Sequence, residues 1–575
     1  MKKPIYMVDA SAPFFVRHKR KKEDDANQSI NWSKAPTHEL NRDGKVKKKT
    51  HRKIREGFEL YVKRLARLGY NSLSIDEAAF LLPPCNESED SRVSKWVQKY
   101  RKHYRRLFKI ARDQKMVPYL TSDVWYNIHT PHGTSGSDLF QHMAESLDAL
   151  LQDFPELGGI ILRIGESDGV DVQSPFRSQL VIKKPAHLRE CLERLLPVFE
   201  KHSRVLIFRT WTLGAGKIGD LLWNRSTLDR SIPSACLGSD FFLLSYKFSQ
   251  SDFIRYQPLN PFALNSPAPY ILELQARREY EGFGEFPCFV GFDYATYARQ
   301  LRGNPMLQGI HVWCQTGGWS RFRNFSFMKR RSIFNELNTA VTLQLFKNDG
   351  DLDQALEHYG YKGQDLIRIH RFLQLADDLI KQVVYIPSFA SKSLFINRSR
   401  IPSLIHVLWD RITVTSLLSV FTRYFATDPS SDAMKARAAM QGLPEMRKLA
   451  RKLGLKYDVE FHESTLRLMH LAQKALLRGE DSKDELKSFY DEYASRFPHS
   501  YMLTFRMDPL GPLQKGLLNF VFRLLIRQRA QYRFFDRMLF SIAGGFIVYV
   551  LLPLFRRYLP STLDQQAMPL AELIR

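Results

Sequence analysis

Short apolar runs alternate with longer amphipathic segments over the first 315 residues of the chain. Each run is rich in β-branched residues and almost continuously apolar, which is typical of strands buried on both faces. The pattern predicts eight strands: Ile5–Val8, Ser72–Ile75, Val117–Leu120, Gly159–Ile164, Val205–Phe208, Phe241–Tyr246, Ile271–Leu274 and Gly309–Trp313.

The segments between these runs have helical spacing, as in "FELYVKRLARLGY", where Phe58, Tyr61, Leu65 and Leu68 share one face. Eight strand–helix units with right-handed connections predict an α/β fold, a (β/α)8 TIM barrel over residues 1–329. A doubly wound open sheet is the alternative arrangement of the same units.

Strand signals nearly vanish beyond about residue 330, and helical patterns predict an all-α domain over 330–510. Residues 511–575 differ again: a basic amphipathic helix precedes an uncharged apolar segment, 538–555. Eighteen helical residues rise about 27 Å, close to the ~30 Å hydrocarbon core of a bilayer. We therefore expect this tail to contact a membrane, spanning it or lying on it; a helix packed on the protein is the alternative.

The chain of 575 residues carries a formal charge of +25, which favours anionic partners. Much of the charge lies in a basic arm over residues 10–53, with "RHKRKK" and "KVKKKTHRK". The arm is interpreted either as a solvated loop or as a segment that contacts phosphates or a membrane. No nucleic-acid-binding motif accompanies the charge, so no nucleic-acid partner is expected.

Five scattered cysteines without CxxC spacing favour a reducing compartment. The start, "MKKPIYMVDASAPFF", lacks the pattern of a secretory signal. We expect a cytoplasmic protein attached to the inner face of the cell membrane through 511–557. The histidines show no HxxxH or HExxH spacing, so neither a metal nor a cofactor is predicted.

Each predicted strand delivers polar, charged or aromatic residues at its carboxyl end, where barrels of this kind carry their chemistry. Aromatic faces pack on sugar rings, charged forks hold hydroxyls or a uronate, and two carboxylates flank a glycosidic bond. The pattern predicts a carbohydrate site whose candidate residues are Asp123, Trp125, Glu166, Arg209, Trp211, Lys247, Asp252, Glu273 and Trp313.

Three segments resemble the α-glucuronidases of glycoside hydrolase family 67. They are "SYKFSQSDFIRYQPLNPF" at 245–262, "ILELQARREYEGFGEFPCFVG" at 271–291, and "LRIGESDG" at 162–169. Their order and approximate spacing match that family over roughly residues 60–345.

The resemblance implies that Glu166 is the general acid and that Asp252, with either Glu273 or Glu279, activates water. It also implies that Lys247 and Arg255 contact an acidic sugar. An inverting enzyme of this kind separates its acid and base by roughly 6.5–9.5 Å.

Two functions remain open at this point. One is an α-glucuronidase-like glycoside hydrolase that cleaves a uronic-acid-containing glycan. The other is a non-hydrolytic, membrane-associated factor that binds glycan during surface polysaccharide biosynthesis.

Overall fold

A closed barrel of eight parallel strands forms the first part of the molecule, which confirms the predicted (β/α)8 fold. The computed structural model describes residues 3–16, 28–37, 48–82, 91–124, 136–164, 181–213, 215–328, 332–396, 399–478, 483–497 and 499–528, with residues 535 and 538. The barrel strands are β1 (Ile5–Asp9), β2 (Ser72–Ile75), β3 (Val117–Asp123), β4 (Gly159–Arg163), β5 (Val205–Arg209), β6 (Phe242–Lys247), β7 (Tyr270–Gln275) and β8 (Leu307–Trp313).

Closure is made by β8 against β1, where Ile5 lies opposite Gly309 and Met7 opposite His311. The bottom of the barrel is filled by apolar side chains of alternate strand positions, as in other barrels of this class. This inner core consists of Met7, Tyr119, Ile161, Ile207, Leu243 and Ile271.

Helices follow the strands and surround the barrel. They are Lys48–Leu68, Ser91–Asp113, Gly136–Asp153, Pro185–His202, Arg225–Ser231, Ser234–Gly238, Pro261–Leu264, Gly291–Gln300 and Ile333–Lys347, with short 3-10 turns at Ala12–Phe14 and Ala78–Phe80. The last of these helices packs against Gly291–Gln300, and the Tyr70 hydroxyl donates to the Thr339 carbonyl at 2.8 Å. It therefore completes the ring, and the predicted domain boundary at residue 329 precedes it.

Helices dominate the rest of the described chain: Leu352–Tyr359, Gln364–Leu379, Pro387–Ala390, Ser416–Phe425, Pro429–Met440, Leu443–Lys452, Val459–Arg478, Lys483–Arg496 and Pro512–Leu525, with a π-helical turn at Ile380–Val384. Five short strands also occur, at Leu394–Ile396, Ser399–Ile401, Val407–Leu408, Arg411–Thr415 and Met502–Arg506. Arg411–Thr415 pairs in parallel with Met502–Arg506, far away in sequence, so no local signal predicts this sheet.

Part of the basic arm lies across the carboxyl end of the barrel. Its residues 28–37, here called the strap, pair with the loop after β8 through Ile30–Asn31 and Trp319–Ser320. The remaining arm residues 17–27 and 38–47 lie outside the described residues.

The apolar segment 538–555 lies outside the described residues except for Met538. Within the described part of the chain, no helix combines the length and the apolar character needed to cross a bilayer. Membrane contact through the tail stays a prediction.

Candidate active site

Charged side chains lie one layer above the inner core of the barrel. Side chains two positions apart point to the same face of a strand, so each residue two positions beyond an inner-core residue also points inward. At the carboxyl end of the barrel, four of these inward-pointing residues are charged. The pairs are Met7 and Asp9, Ile161 and Arg163, Ile207 and Arg209, and Ile271 and Glu273.

Three carboxyl groups gather on one side of this end, at the ends of β2 and β3. We call Asp76, Glu77 and Asp123, with the cations Lys34 and Arg163, the acidic cluster. Arg163 Nε donates to Asp123 Oδ1 at 3.0 Å, and Lys34 Nζ donates to Asp123 Oδ2. Glu77 Oε2 lies 3.7 Å from both Lys34 Nζ and Arg163 Nη2. All five side chains are buried.

Glu77 holds its proton more tightly than an ordinary glutamate. Burial raises the pKa of its carboxyl to about 7, although the cations Lys34 and Arg163 oppose this shift. Asp123 and Asp76 add to the shift because a second or third negative charge in the cluster repels ionisation. Near neutral pH the Glu77 carboxyl can therefore donate a proton, as a general acid must.

The strap supplies Lys34, which no sequence pattern places in the site. The Ala35 amide donates to Asp76 Oδ2 at 2.9 Å, and the Trp32 amide donates to the Gly318 carbonyl at 2.8 Å. A single lysine between the two basic runs of the arm gives no sequence signal of burial. Glu77 had a signal, because it follows a predicted strand directly, but it resembled no family motif.

A second buried group joins β5, β6, β7 and β8. Arg209 grips Glu273 with two parallel hydrogen bonds, Nε to Oε1 at 2.8 Å and Nη2 to Oε2 at 2.7 Å. Ser245 Oγ donates to Oε1 at 2.6 Å and Trp313 Nε1 donates to Oε2 at 3.1 Å. Burial would raise the pKa of Glu273, but Arg209 and its other partners lower it to about 2. Glu273 is therefore an ionised and fully bonded carboxylate.

Lys247 and Asp252 form a third group beside Trp211. Lys247 Nζ donates to Asp252 Oδ1 and lies 3.6 Å from the centre of the Trp211 ring. Tyr280 Oη donates to Asp252 Oδ2 at 2.6 Å. Burial would raise the pKa of Asp252, but Lys247 and these hydrogen bonds lower it. The Asp252 side chain keeps 17% of its surface exposed, whereas Glu273 keeps 1%.

Glu279, the alternative to Glu273, lies under the loop that follows β8. Gln275 Nε2 donates to Glu279 Oε1 at 2.8 Å. Gly318 has φ of +66°, and a Cβ there would approach Glu279 Oε2 to 2.7 Å and would come closer still to Trp409 Cδ1. The glycine is needed because a side chain at this position would collide with the carboxylate and the indole.

The predicted sugar contact of Arg255 stays a prediction, and the structure shows this side chain buried among carboxylates. Its guanidinium donates to Glu281 Oε2 at 3.1 Å, Asp293 Oδ2 at 2.9 Å and Asp377 Oδ1 at 2.6 Å, and it is 3% exposed. Glu281 and Asp293 belong to the barrel part and Asp377 to the helical region, so Arg255 joins two parts of the molecule.

Two predicted residues, Glu166 and Trp125, lie outside the described residues. The other candidates Asp123, Arg209, Lys247, Asp252, Glu273 and Trp313 all come to the carboxyl end of the barrel, where Trp211 also lies. Their catalytic and substrate-binding roles stay predictions.

Metal binding has no candidate in the described part of the chain, where no group of three or more His, Cys, Asp or Glu side chains has suitable geometry. The cation partners of the carboxylates are lysine and arginine side chains instead.

No protein-family model matches the chain, and no curated protein matches it. Among solved structures, it is similar to a GH138 enzyme targeting pectin rhamnogalacturonan II, at 10% identity and TM-score 0.45, over 95% of this chain and 69% of that one. It is similar to CpGH84B at 11% identity and TM-score 0.35, over 77% and 70% of the two chains. A family 5 glycoside hydrolase from Prevotella bryantii B14 gives 9% identity and TM-score 0.32, over 51% and 86%. These similarities carry no argument about function, which has to come from the geometry of the barrel end and from the residues of the chain.

Proposed function

We propose that the protein is a glycoside hydrolase that works at the carboxyl end of its barrel. The observation that carries the proposal is a pair of carboxyl groups with opposite pKa shifts at that end. Burial raises the pKa of the Glu77 carboxyl to about 7, whereas Lys247 and hydrogen bonds lower the pKa of Asp252. The Asp252 side chain is also partly exposed. Two carboxyl groups whose environments push their pKa values apart can divide between them the roles of proton donor and ionised carboxylate in glycosidic cleavage.

In this proposal a protonated carboxyl releases the leaving group, and the ionised Asp252 activates water. Glu77 takes the acid role on structural grounds, and Glu166 is its competitor on grounds of sequence resemblance. Lys247 covers one face of the partly exposed Trp211 ring. We assign the exposed remainder of the indole to a sugar ring and Lys247 to an acidic group of that sugar.

The finer specificity rests on the family resemblance and on Lys247. We propose an α-glucuronidase-like enzyme that cleaves a uronic-acid-containing glycan with inversion. Glu273 is assigned a positioning role here, since a carboxylate with four hydrogen bonds has little capacity left to activate water.

The acid role is tested by comparing substrates with good and poor leaving groups. The purified protein is assayed on uronic-acid oligosaccharides and on dinitrophenyl glycuronides. Loss of a general acid lowers the rate by about 10²- to 10⁴-fold. We expect Glu77→Gln to show that loss on oligosaccharides and a much smaller one on the activated glycuronide.

Glu285→Gln is the matched control, because this carboxylate lies in a loop after β7 and accepts from Asn324 Nδ2 at 2.7 Å. It should leave both rates unchanged. If Glu166→Gln shows the dependence on leaving group and Glu77→Gln does not, the acid is Glu166.

The second candidate function is glycan binding without turnover. It is favoured by the extent of internal ion pairing, in which Asp123 and Glu273 are neutralised by Lys34, Arg163 and Arg209. Saturable binding of a glycan that the protein never cleaves, with Asp252→Asn changing affinity alone, would establish this function and remove the hydrolase.

A further inference from the structure

The helix Pro512–Leu525 has two apolar faces, and the body of the protein covers one of them. Phe522 on the inner face packs against Phe421 with ring centres 5.0 Å apart and against Tyr424 at 5.9 Å. Leu518 and Leu525, on the same face, are buried.

Both ends of this helix are fixed to the fold. Just ahead of it, the Asp508 carbonyl accepts from Ser416 Oγ at 2.6 Å. Just after it, the backbones of Arg527 and Phe395 exchange hydrogen bonds of 2.8 and 3.0 Å. The helix is held in a fixed orientation, so its outer face is a defined surface.

That outer face is a stripe of large apolar side chains in water. Leu513 is 90% exposed, Leu517 47% and Phe520 62%, and their spacing of four and three residues places them on one line. Isolated exposed apolar residues are ordinary, but a continuous stripe on an amphipathic helix indicates an interaction surface.

Along the sequence, the charge next to the stripe has one sign between Asp508 and Asp536. Residues 509–535 contain five basic residues, Lys515, Arg523, Arg527, Arg529 and Arg533, and no acidic residue. Lys515 and Arg523 lie on the helix itself and are exposed. On the neighbouring helix Ser416–Phe425, Tyr424 contacts Phe522, and Arg423, next to it in the sequence, is also exposed.

We propose that the stripe Leu513, Leu517 and Phe520, with its basic flanks, docks on the surface of an anionic phospholipid bilayer. An interfacial helix buries its apolar face at the boundary of headgroups and acyl chains, and lysine and arginine beside it attract anionic lipid. The proposal goes beyond the hydrolase, since it concerns where the protein works and not what it cleaves.

A second copy of the chain is the less suitable occupant. Two copies related by a two-fold axis would bring the same basic segment against itself, and like charges across an interface oppose association. An anionic bilayer instead complements the charge. In the sequence the uncharged segment 538–555 follows within a short distance, and it suits the same partner.

The test measures insertion at the stripe itself, so that binding by another part of the chain cannot imitate it. Leu513→Cys is labelled with an environment-sensitive nitrobenzoxadiazole fluorophore in the full-length protein. The four described cysteines are buried, and Cys85 is replaced by serine. Ile367→Cys, 63% exposed on the helix Gln364–Leu379, carries the control label.

We expect the label at Leu513 to brighten and shift to the blue with vesicles of phosphatidylcholine and phosphatidylglycerol in about equal parts. Pure phosphatidylcholine should give a much weaker response, and the label at Ile367 should respond to neither. An unchanged Leu513 label overturns the proposal. So does a label that is already shielded without vesicles, because the stripe would then be covered by protein.

Co-sedimentation provides the second measurement. Replacement of Leu513, Leu517 and Phe520 by serine should weaken binding to the anionic vesicles by about tenfold or more. The control replaces three exposed apolar residues elsewhere, Leu264, Met306 and Ile367, and should bind as the parent does. Equal binding by both triple variants, or dimerisation that only the stripe variant loses, overturns the proposal.

Discussion

Glu273 shows how a single buried carboxylate is held ionised at the centre of the site. Its folded-state pKa of about 2 lies below the ordinary value of 4.5. The group therefore stabilises the fold above about pH 4.5, and its contribution is lost as the pH falls toward 2. We expect Glu273→Gln to lower the free energy of unfolding by about 3 kcal/mol at neutral pH, because Arg209 loses its charge partner.

Urea denaturation of the parent and of Glu273→Gln measures this loss. Arg209→Leu added to Glu273→Gln should recover part of it, since the second change removes the unpaired cation. Asp349→Asn is the control, because its pair with Arg302 is exposed and spans 3.3 Å. Such surface pairs contribute less than about 1 kcal/mol. A Glu273→Gln variant as stable as this control would contradict the prediction.

At the same scale, the sequence predicted those site residues whose position follows from a strand. Arg209, Lys247 and Glu273 belong to predicted strands or follow them directly, and the alternation of inward positions places them at the barrel end. Lys34 and Arg255 show the limit. Their roles depend on partners far away in sequence. The residues next to a single lysine or arginine do not predict whether it is buried or which carboxylate it pairs with.

The helices around the barrel contain a buried histidine pair, His51 on Lys48–Leu68 and His103 on Ser91–Asp113. Their rings meet edge to face at 4.1 Å. Burial, with Arg55 nearby, lowers the pKa of His51 to about 4, and burial with the charges of neighbouring groups lowers that of His103 to about 2. Both histidines are therefore neutral where these two helices pack.

This pair makes helix packing sensitive to acid. Because the unfolded chain takes up protons near pH 6.5 and the folded pair does not, stability is present above pH 6.5 and falls toward pH 4. Over this pH range the shifted pKa of His51 alone lowers the free energy of unfolding by about 3 kcal/mol. We expect His51→Phe to flatten the dependence of the unfolding free energy on pH between 7.5 and 5, measured by urea denaturation.

The exposed His358, on the helix Leu352–Tyr359, offers the comparison. His358→Phe should leave the pH profile of the parent unchanged. A His51→Phe profile that matches the parent would show that the pair is not what weakens the fold in acid.

The sequence predicted secondary-structure elements better than it predicted individual contacts. All eight barrel strands lie where apolar runs placed them, because strands buried on both faces leave a strong local pattern. The sequence did not predict the strands of the helical region. Arg411–Thr415, for example, pairs over its whole length with Met502–Arg506, which lies far away in sequence. The sequence did not predict the pairing of the strap for the same reason, because its partner Trp319–Ser320 lies in the loop after β8.

For the whole molecule, the loop after β6 is one joint between the barrel and the helical region. Three successive residues make the connection: Arg255 to Asp377, the Tyr256 hydroxyl to the Lys381 carbonyl at 2.8 Å, and Gln257 Nε2 to the Ala390 carbonyl at 2.9 Å. The same loop carries Asp252. The helical region therefore holds in place the loop that presents the proposed base.

Removing the arginine of this joint should weaken the fold and the site together. Arg255→Met removes one cation from Glu281 and Asp377, which keep Arg278 and Lys381 as partners. We therefore place the cost at the lower end of the about 3–5 kcal/mol of a broken buried pair. We expect that drop in urea denaturation, together with weaker glycan binding, because the Asp252 loop is no longer fixed. Arg255→Lys should recover only part of both, since an ammonium cannot bond several carboxylates in fixed directions at once. Arg302→Met, at an exposed pair, should change neither quantity, and equal stability of the Arg255→Met and Arg302→Met variants would show that the joint lies elsewhere.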